Sequence, residues 1–367
     1  SDLNYIRTKG WYLAIEKNIS VPFMIVSYCL TFFFEDLIAF RLTNLLILLS
    51  FLAYLVKIKK SGTLILYLIF YISTVGYFFF GTNDVLFILS LALFFIEFNE
   101  LIEHRKLNGS LAFSAFILAL FTRELILIYM PVVIICLSFL FKKKQFKPIT
   151  FLLPLALVIA MLVINIPAIS SNGSISYDKK NPPEDVNVTW AQRQYLAQLM
   201  SNKGEIGTMQ HPSWEQTESY VIINGANSLP RTTWEGVFFD WKLTMIEFIK
   251  DFSLSIFYGF RQLGFILPIL LYFIIKGLST RQNLLLYIVP FIVWAMLIIF
   301  SFIIISNVEL RWLGPVFLLS IIFYVDLINK MRINRFWINI NILSLILMSI
   351  YGTTKILDRI DFSPLLN

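Results

Sequence analysis

Charged residues stand at the edges of long apolar runs and could do chemistry there: Asp2, Glu35, Asp36, Arg41, Asp84, Arg123, Glu124, Glu309 and Arg311. Ionisable groups beside lipid-soluble sequence are costly to hold and commonly mark functional positions. A carboxylate there can take a proton from a hydroxyl group. An arginine at the same depth can hold a phosphate, because its guanidinium fork matches phosphate oxygens and keeps its charge. A base beside a cationic phosphate clamp suits transfer of a group from a lipid phosphate. Each residue also has a plainer reading. Arg41 could pair locally with Glu35 or Asp36, and Glu309 with Arg311. Arg123 and Glu124 could keep a turn between two antiparallel helices wet. Thr82-Asn83-Asp84 reads equally well as a helix N-cap.

The elements that must position these residues are legible in the composition. Apolar residues make up 58% of the chain, charged residues 14%, and the mean hydropathy is +0.75. About 20 apolar residues cross a bilayer, and backbone in lipid must satisfy its own hydrogen bonds, so the chain reads as an all-α polytopic membrane protein. Helices are expected at 37–56, 62–81, 84–103, 108–121, 125–141, 148–166, 259–275, 283–305, 311–328 and 336–354. Basic clusters separate them: Lys57, Lys59 and Lys60; His104, Arg105 and Lys106; Lys142, Lys143, Lys144 and Lys147; Lys276 and Arg281; Lys330, Arg332 and Arg335. The positive-inside rule puts these clusters on the cytoplasmic side. Alternation then places Asp84, Arg123–Glu124, the segment 168–250 and Glu309–Arg311 on the outer side. Residues 21–34 are too short to span comfortably and read as a helix lying at the outer interface. The span centres read as almost uncharged, Arg261 being the one exception.

Residues 168–245 turn polar and carry Trp190, Trp214, Trp234 and Trp241. That is too long for a connector. It reads as a lid, an acceptor-binding surface or a small capping subdomain anchored by interfacial tryptophans. The expected organisation is a membrane module over 1–166, an extracytoplasmic subdomain over 167–250, and C-terminal transmembrane helices over 251–367. A net charge of +7 does not indicate nucleic acid, because the basic residues sit in short inter-span clusters. Cys29 and Cys136 offer neither a disulfide framework nor a zinc spacing. His104 reads as part of a topology cluster and His211 as a loop histidine. Phosphate-binding glycine loops, nucleophile-elbow serines and His-Glu metal signatures are absent from the sequence.

Several segments together carry a family likeness. SDLNYI opens with an acidic residue and a tyrosine. FFFEDLIAFRLTNLLILLSFLAYL places Arg41 at the start of a span. FGTNDVLFILSLALFFIEF opens a span with Asp84, and LAFSAFILALFTRELILIYMPVVII breaks at Arg123. In that order, they resemble the GT-C class of membrane glycosyltransferases, most nearly the protein O-mannosyltransferase and lipid A aminoarabinose transferase type. ELRWLGPVFLL, with Arg311 and Pro315, resembles a late span of such chains more loosely. The likeness covers residues 1–165 and, loosely, the last third; the segment 168–250 has no counterpart. Leu3 stands where the family's usual acidic pair has its second member, and Trp312 where a tyrosine is usual. The family's first span is not in the sequence, so an upstream segment is expected.

The resemblance implies a GT-C-like transmembrane helix bundle that takes a sugar from a polyprenyl-phosphate carrier on the outer face and transfers it with inversion. Asp2 would be the general base that deprotonates the acceptor hydroxyl. Arg123, with Arg41 or Arg311, would stabilise the leaving lipid phosphate, and Asp84 would position sugar or acceptor. The implied partners are the polyprenyl-phosphate-linked sugar, a protein, lipid or glycan acceptor, and membrane lipids. The resemblance fixes no cofactor and leaves a divalent metal open. The expected location is a bacterial plasma membrane with the site facing outward. Two rivals remain: a lipid-linked glycan flippase or other multi-span transporter, and an inactive scaffold of glycosyltransferase descent.

Overall fold

The computed structural model describes residues 2–59, 61–103, 108–143, 146–177, 182–183, 185–207, 210–280, 287–303, 308–330 and 332–357. Lys60, His104, Arg105, Lys106, Lys144 and Arg281 of the basic clusters therefore lie outside the described residues. All regular structure among the described residues is helical. In chain order the helices are α1 (Asp2–Glu16), α2 (Val21–Leu30), α3 (Asp36–Lys59), α4 (Gly62–Thr74), α5 (Asp84–Glu103), α6 (Ser110–Thr122), α7 (Ile126–Lys143), α8 (Leu152–Ile164) and α9 (Ile166–Asn172). They continue with α10 (Trp190–Asn202), α11 (Trp214–Asn224), α12 (Thr233–Phe239), α13 (Trp241–Leu263), α14 (Ile266–Thr280), α15 (Ile288–Ser301), α16 (Gly314–Asn329) and α17 (Arg335–Leu357).

Helices form at each of the apolar stretches. Four of the described helices are long and apolar enough to cross a membrane alone, or up to six spans if each of two bent pairs counts as one. Residues 21–34 form only the ten-residue α2, about 15 Å long. Phe32 and Phe33, exposed in the turn that follows, continue its apolar character.

The chain divides into two compact units. The first comprises Ser1–Asp178, Tyr258–Trp294 and Gly314–Asn367; the second comprises Lys179–Phe257 and Ala295–Leu313. At the centre of the first unit is α5, 89% of whose apolar window is buried, against 28% for the α3 window and 17% for the α17 window. Its sequence explains this, since a helix apolar all round can satisfy every face only by packing. α6 and α16 lie against it, and α8 backs α6. Between helices in lipid the gain is dispersion, about 0.1–0.2 kcal/mol per atom pair, summed over interlocked rings such as Phe94–Phe116 and Phe98–Phe139.

One ion pair fixes each end of α5. Arg123 meets Asp84 at its start, and Lys330 meets Glu103 at its last residue, 3.1 Å away. The two pairs are separated by a 20-residue helix, about 30 Å of rise, the thickness of a hydrocarbon layer.

In the second unit, α10 and α11 begin with reciprocal capping boxes, Thr189 with Gln192 and Ser213 with Gln216. These satisfy two orphan backbone donors at each start and explain why a polar segment is helical at all. Its apolar cluster is small: Tyr195, Leu196 and Leu229, with Leu199, Met200, Tyr220, Val221 and Leu243 around it.

Candidate functional site

The first unit gathers several of the expected residues at one end of its bundle. α5 and α6 run antiparallel, so Asp84, the first residue of α5, meets Arg123, which caps the C-terminus of α6. An Arg123 guanidinium nitrogen lies 3.3 Å from Asp84 Oδ1, and another donates to Asn83 Oδ1 at 3.1 Å. Asp84 is nearly sealed from solvent, while Arg123 keeps about a quarter of its side-chain surface, 23%. The α5 N-terminus adds a partial positive charge that suits the carboxylate. The result is a partly exposed guanidinium held on two points.

The loop before Asp84 is held by α3. The Asn44 side chain, wholly buried, donates to the Thr82 carbonyl at 3.0 Å and accepts from the Gly81 and Thr82 amides at 3.1 and 3.0 Å. Gly81 has φ +76°, and a Cβ there would stand 2.7 Å from Phe40 Cβ and 3.2 Å from the Arg41 amide nitrogen. The RLTN stretch thus serves two ends. Thr43 and Asn44 face inward, Thr43 being bonded to Ser27 of α2 at 3.0 Å. Arg41 stays exposed on α3 with its backbone against the loop that leads to Asp84, and it has no ion-pair partner among the described residues.

Asp2 lies in the exposed first turn of α1. The opening segment is helical on either side of a kink at Gly10, and Leu3, Ile6 and Ala14 enter a cluster with Phe23, Met24, Leu86, Phe40 and Leu118. That cluster lays α1 over the starts of α3 and α5. Asp36 pairs with Arg7 of α1 rather than serving Arg41 as a local partner. Glu124 acts on Tyr177, whose hydroxyl is held well above the usual tyrosine range by burial and then by the Glu124 charge. The turn between α1 and α2 is tied in by hydrogen bonds. Ser20 donates to the Thr122 carbonyl, Asn172 to that of Glu16, and Ser176 to that of Ile19.

Arg311 belongs to the second unit, in a 3₁₀ turn over Leu310–Leu313, and its Nε donates to Glu309 at 2.5 Å. Arg261 lies in the last turn of α13 with its guanidinium over the Tyr351 ring, 5.6 Å from the centroid. His211 meets Gln194 at 3.1 Å, a structural role for a loop histidine. Among the described residues no group of three His, Cys, Asp or Glu side chains is arranged to hold a metal.

The sequence reading missed three groups of residues. Asn83 and Asn44 anchor the loop, and both sit inside quoted motifs, TND and RLTN. Glu97 and Glu100 are buried within α5, so that span is not uncharged as expected; the letters FFIEFNELIE carry the signal. Glu247 and Asp251 are buried on α13, where a polar helical stripe reads from sequence as a wet face. No family model, curated protein or solved structure matches this chain.

Proposed function

We propose that this protein is a membrane glycosyltransferase of GT-C type that moves a sugar from a polyprenyl-phosphate carrier to an acceptor hydroxyl, with inversion. The observation that carries the reading is the Asn83–Asp84–Arg123 cluster at one end of the central helix. It supplies a partly exposed guanidinium, fixed on two points, beside a buried carboxylate. Arg123 neutralises the leaving lipid phosphate, and Arg41, against the same loop, adds a second cation. Asp2, at the exposed start of the helix laid over this end, is the general base toward the acceptor. Asp84 orients Arg123 and, through it, the sugar phosphate. The basic clusters of the sequence support an extracytoplasmic site through the positive-inside rule.

Incubation of the full chain in detergent with radiolabelled polyprenyl-phosphate sugars tests the reading. Label released from the lipid by the wild type, and not by Arg123→Gln, supports it. Donor left intact by a folded wild type would overturn it.

A second reading, a lipid-linked glycan flippase or other transporter, draws on Glu97. This carboxylate is buried inside α5, and no hydrogen bond or ion pair holds it among the described residues. Ionisable groups within a span commonly mark a transport path. Movement of a labelled lipid-linked sugar across vesicles without covalent transfer would favour it.

A further inference from the structure

Most of α17 is left uncovered by the rest of the protein. Only 17% of its apolar window is buried, and Leu343, Leu347 and Ile350 are exposed. In a spanning helix such a surface is covered by acyl chains. The 21 residues from Arg335 to Lys355 rise about 30 Å, the thickness of a hydrocarbon layer. Lys355 therefore stands at the edge of the layer away from Arg335. Tyr351, exposed and one turn earlier, shares its side of the helix.

Arg261, the charge that stood out in sequence and that sugar transfer does not use, is brought to this edge. It lies in the last turn of α13, in the same compact unit as α17, with its guanidinium over the Tyr351 ring. Its approach is fixed just beyond, at the elbow between α13 and α14. There Phe265 N donates to Asn341 Oδ1 of α17 at 2.6 Å. Gly264 has φ +60°, and a Cβ on it would run into the same Asn341 oxygen. From Arg261 to Phe265 the chain thus passes from Tyr351 down to Asn341, antiparallel to α17. Among the described residues no hydrogen bond or ion pair reaches the Arg261 side chain, which is partly exposed.

A ring face answers only part of this charge. It is worth about 0.5–1 kcal/mol at an exposed site, and a guanidinium has five N–H donors to place. Arginine does not shed its proton, so an unmatched one at a lipid edge is costly until an anion meets it. Lys355 beside Tyr351 adds a second positive charge. Lipid phosphates lie at this depth, and their acyl chains would run along Leu343, Leu347 and Ile350. A zwitterionic headgroup brings its own cation to the same phosphate, so two basic residues favour an anionic lipid. We propose that Arg261 and Lys355, with Tyr351 between them, bind the headgroup phosphate of an anionic phospholipid in the leaflet away from Arg335. The lipid would brace the α13–α14 elbow against α17. The inference does not depend on sugar transfer, since its test reads lipid binding and heat stability.

The test uses the full chain in detergent micelles. Its melting temperature is followed as phosphatidylglycerol is added, and separately as phosphatidylcholine or inorganic phosphate is added. Native mass spectrometry counts the lipid that stays bound. A saturable rise and retained lipid are expected with phosphatidylglycerol, a smaller rise with phosphatidylcholine, and none with phosphate. Arg261→Gln should need about tenfold more phosphatidylglycerol, the scale of one lost charge-assisted hydrogen bond. Lys355→Gln should shift the midpoint in the same direction. If Arg261→Gln fails to fold, the lipid preference of the wild type and the Lys355→Gln midpoint still decide the matter. An equal response to the two lipids, or a wild-type midpoint in Arg261→Gln, overturns the proposal. A rise with inorganic phosphate equal to that with phosphatidylglycerol would assign the site to a free anion and would overturn it too.

Discussion

Arg123, at the end of α6, reaches Asp84, at the start of α5, and closes the antiparallel hairpin of the two helices with a 3.3 Å ion pair. One member is sealed and the other partly exposed. In the proposed site Asp84 would hold the guanidinium in place and Arg123 would meet the ligand.

Breaking the pair from one side leaves a buried charge alone, which costs about 3–5 kcal/mol in full burial and less here because Arg123 is partly wet. Arg123→Gln should therefore lower the melting temperature, and Asp84→Asn should do so too. The double variant, with two neutral amides, should recover much of the stability but none of the sugar transfer. A double-mutant cycle on melting temperature, run beside the transfer assay, reads both. Recovery of transfer in the double variant would show the pair to be structural only.

Asn44→Ala removes three hydrogen bonds that hold the Gly81–Thr82 backbone. At about 1 kcal/mol each, the expected loss is roughly 2–3 kcal/mol. The Asp84 loop should loosen, so the apparent affinity for the lipid donor should fall more than maximal turnover. Denaturation monitored by helicity, with donor titration, checks both effects.

Gly81→Ala forces a Cβ against Phe40 at a residue with φ +76°. Left-handed backbone alone costs a non-glycine residue about 1–2 kcal/mol, and the clash adds to it. The variant should melt earlier than Asn44→Ala or fail to accumulate in the membrane. Gly10→Ala, at φ 83° and ψ 165° with nothing within 4 Å of the added carbon, should cost only backbone strain, about 1–3 kcal/mol in this glycine-restricted region.

Tyr177 is held neutral by burial and by Glu124, so its folded pKa lies above the unfolded value of about 10. A raised folded pKa contributes stability that is complete below the unfolded value and is lost as pH rises through the folded one. The wild type should therefore lose stability above about pH 10. Tyr177→Phe should lose less over the same range. Melting temperatures between neutral and strongly alkaline pH test this, and identical slopes would contradict it.

The helices were legible in sequence because lipid imposes one rule on long apolar runs, and lysine clusters punctuate them. α1 was not, since its apolar and polar residues are nearly equal in number and Gly10 breaks its period, so that only packing shows Leu3, Ile6 and Ala14 to be buried. The meeting of Asp84 and Arg123 was legible as a shared depth, but not as a contact, because depth does not say which helices are neighbours. Asn44 was overlooked for lack of charge, and Asn83 was read only as part of a helix N-cap, although these uncharged amides hold the loop and Arg123. The stripe Glu247–Asp251–Ser255 shows a further limit. Periodicity gives two faces, and only packing says which one is inside.

The central claim is that the Arg123 end of the bundle performs sugar transfer from a lipid phosphate with Asp2 as base. The most direct measurement is transfer of label from radiolabelled polyprenyl-phosphate sugars to an acceptor by the full chain in detergent, comparing wild type with Asp2→Asn. Asp2 is exposed, so its amide variant should fold and melt like the wild type. Loss of transfer in that folded variant, with the lipid donor still bound, is the predicted result. Normal transfer by Asp2→Asn would remove Asp2 as the base, and no use of any donor by the folded wild type would contradict the account as a whole.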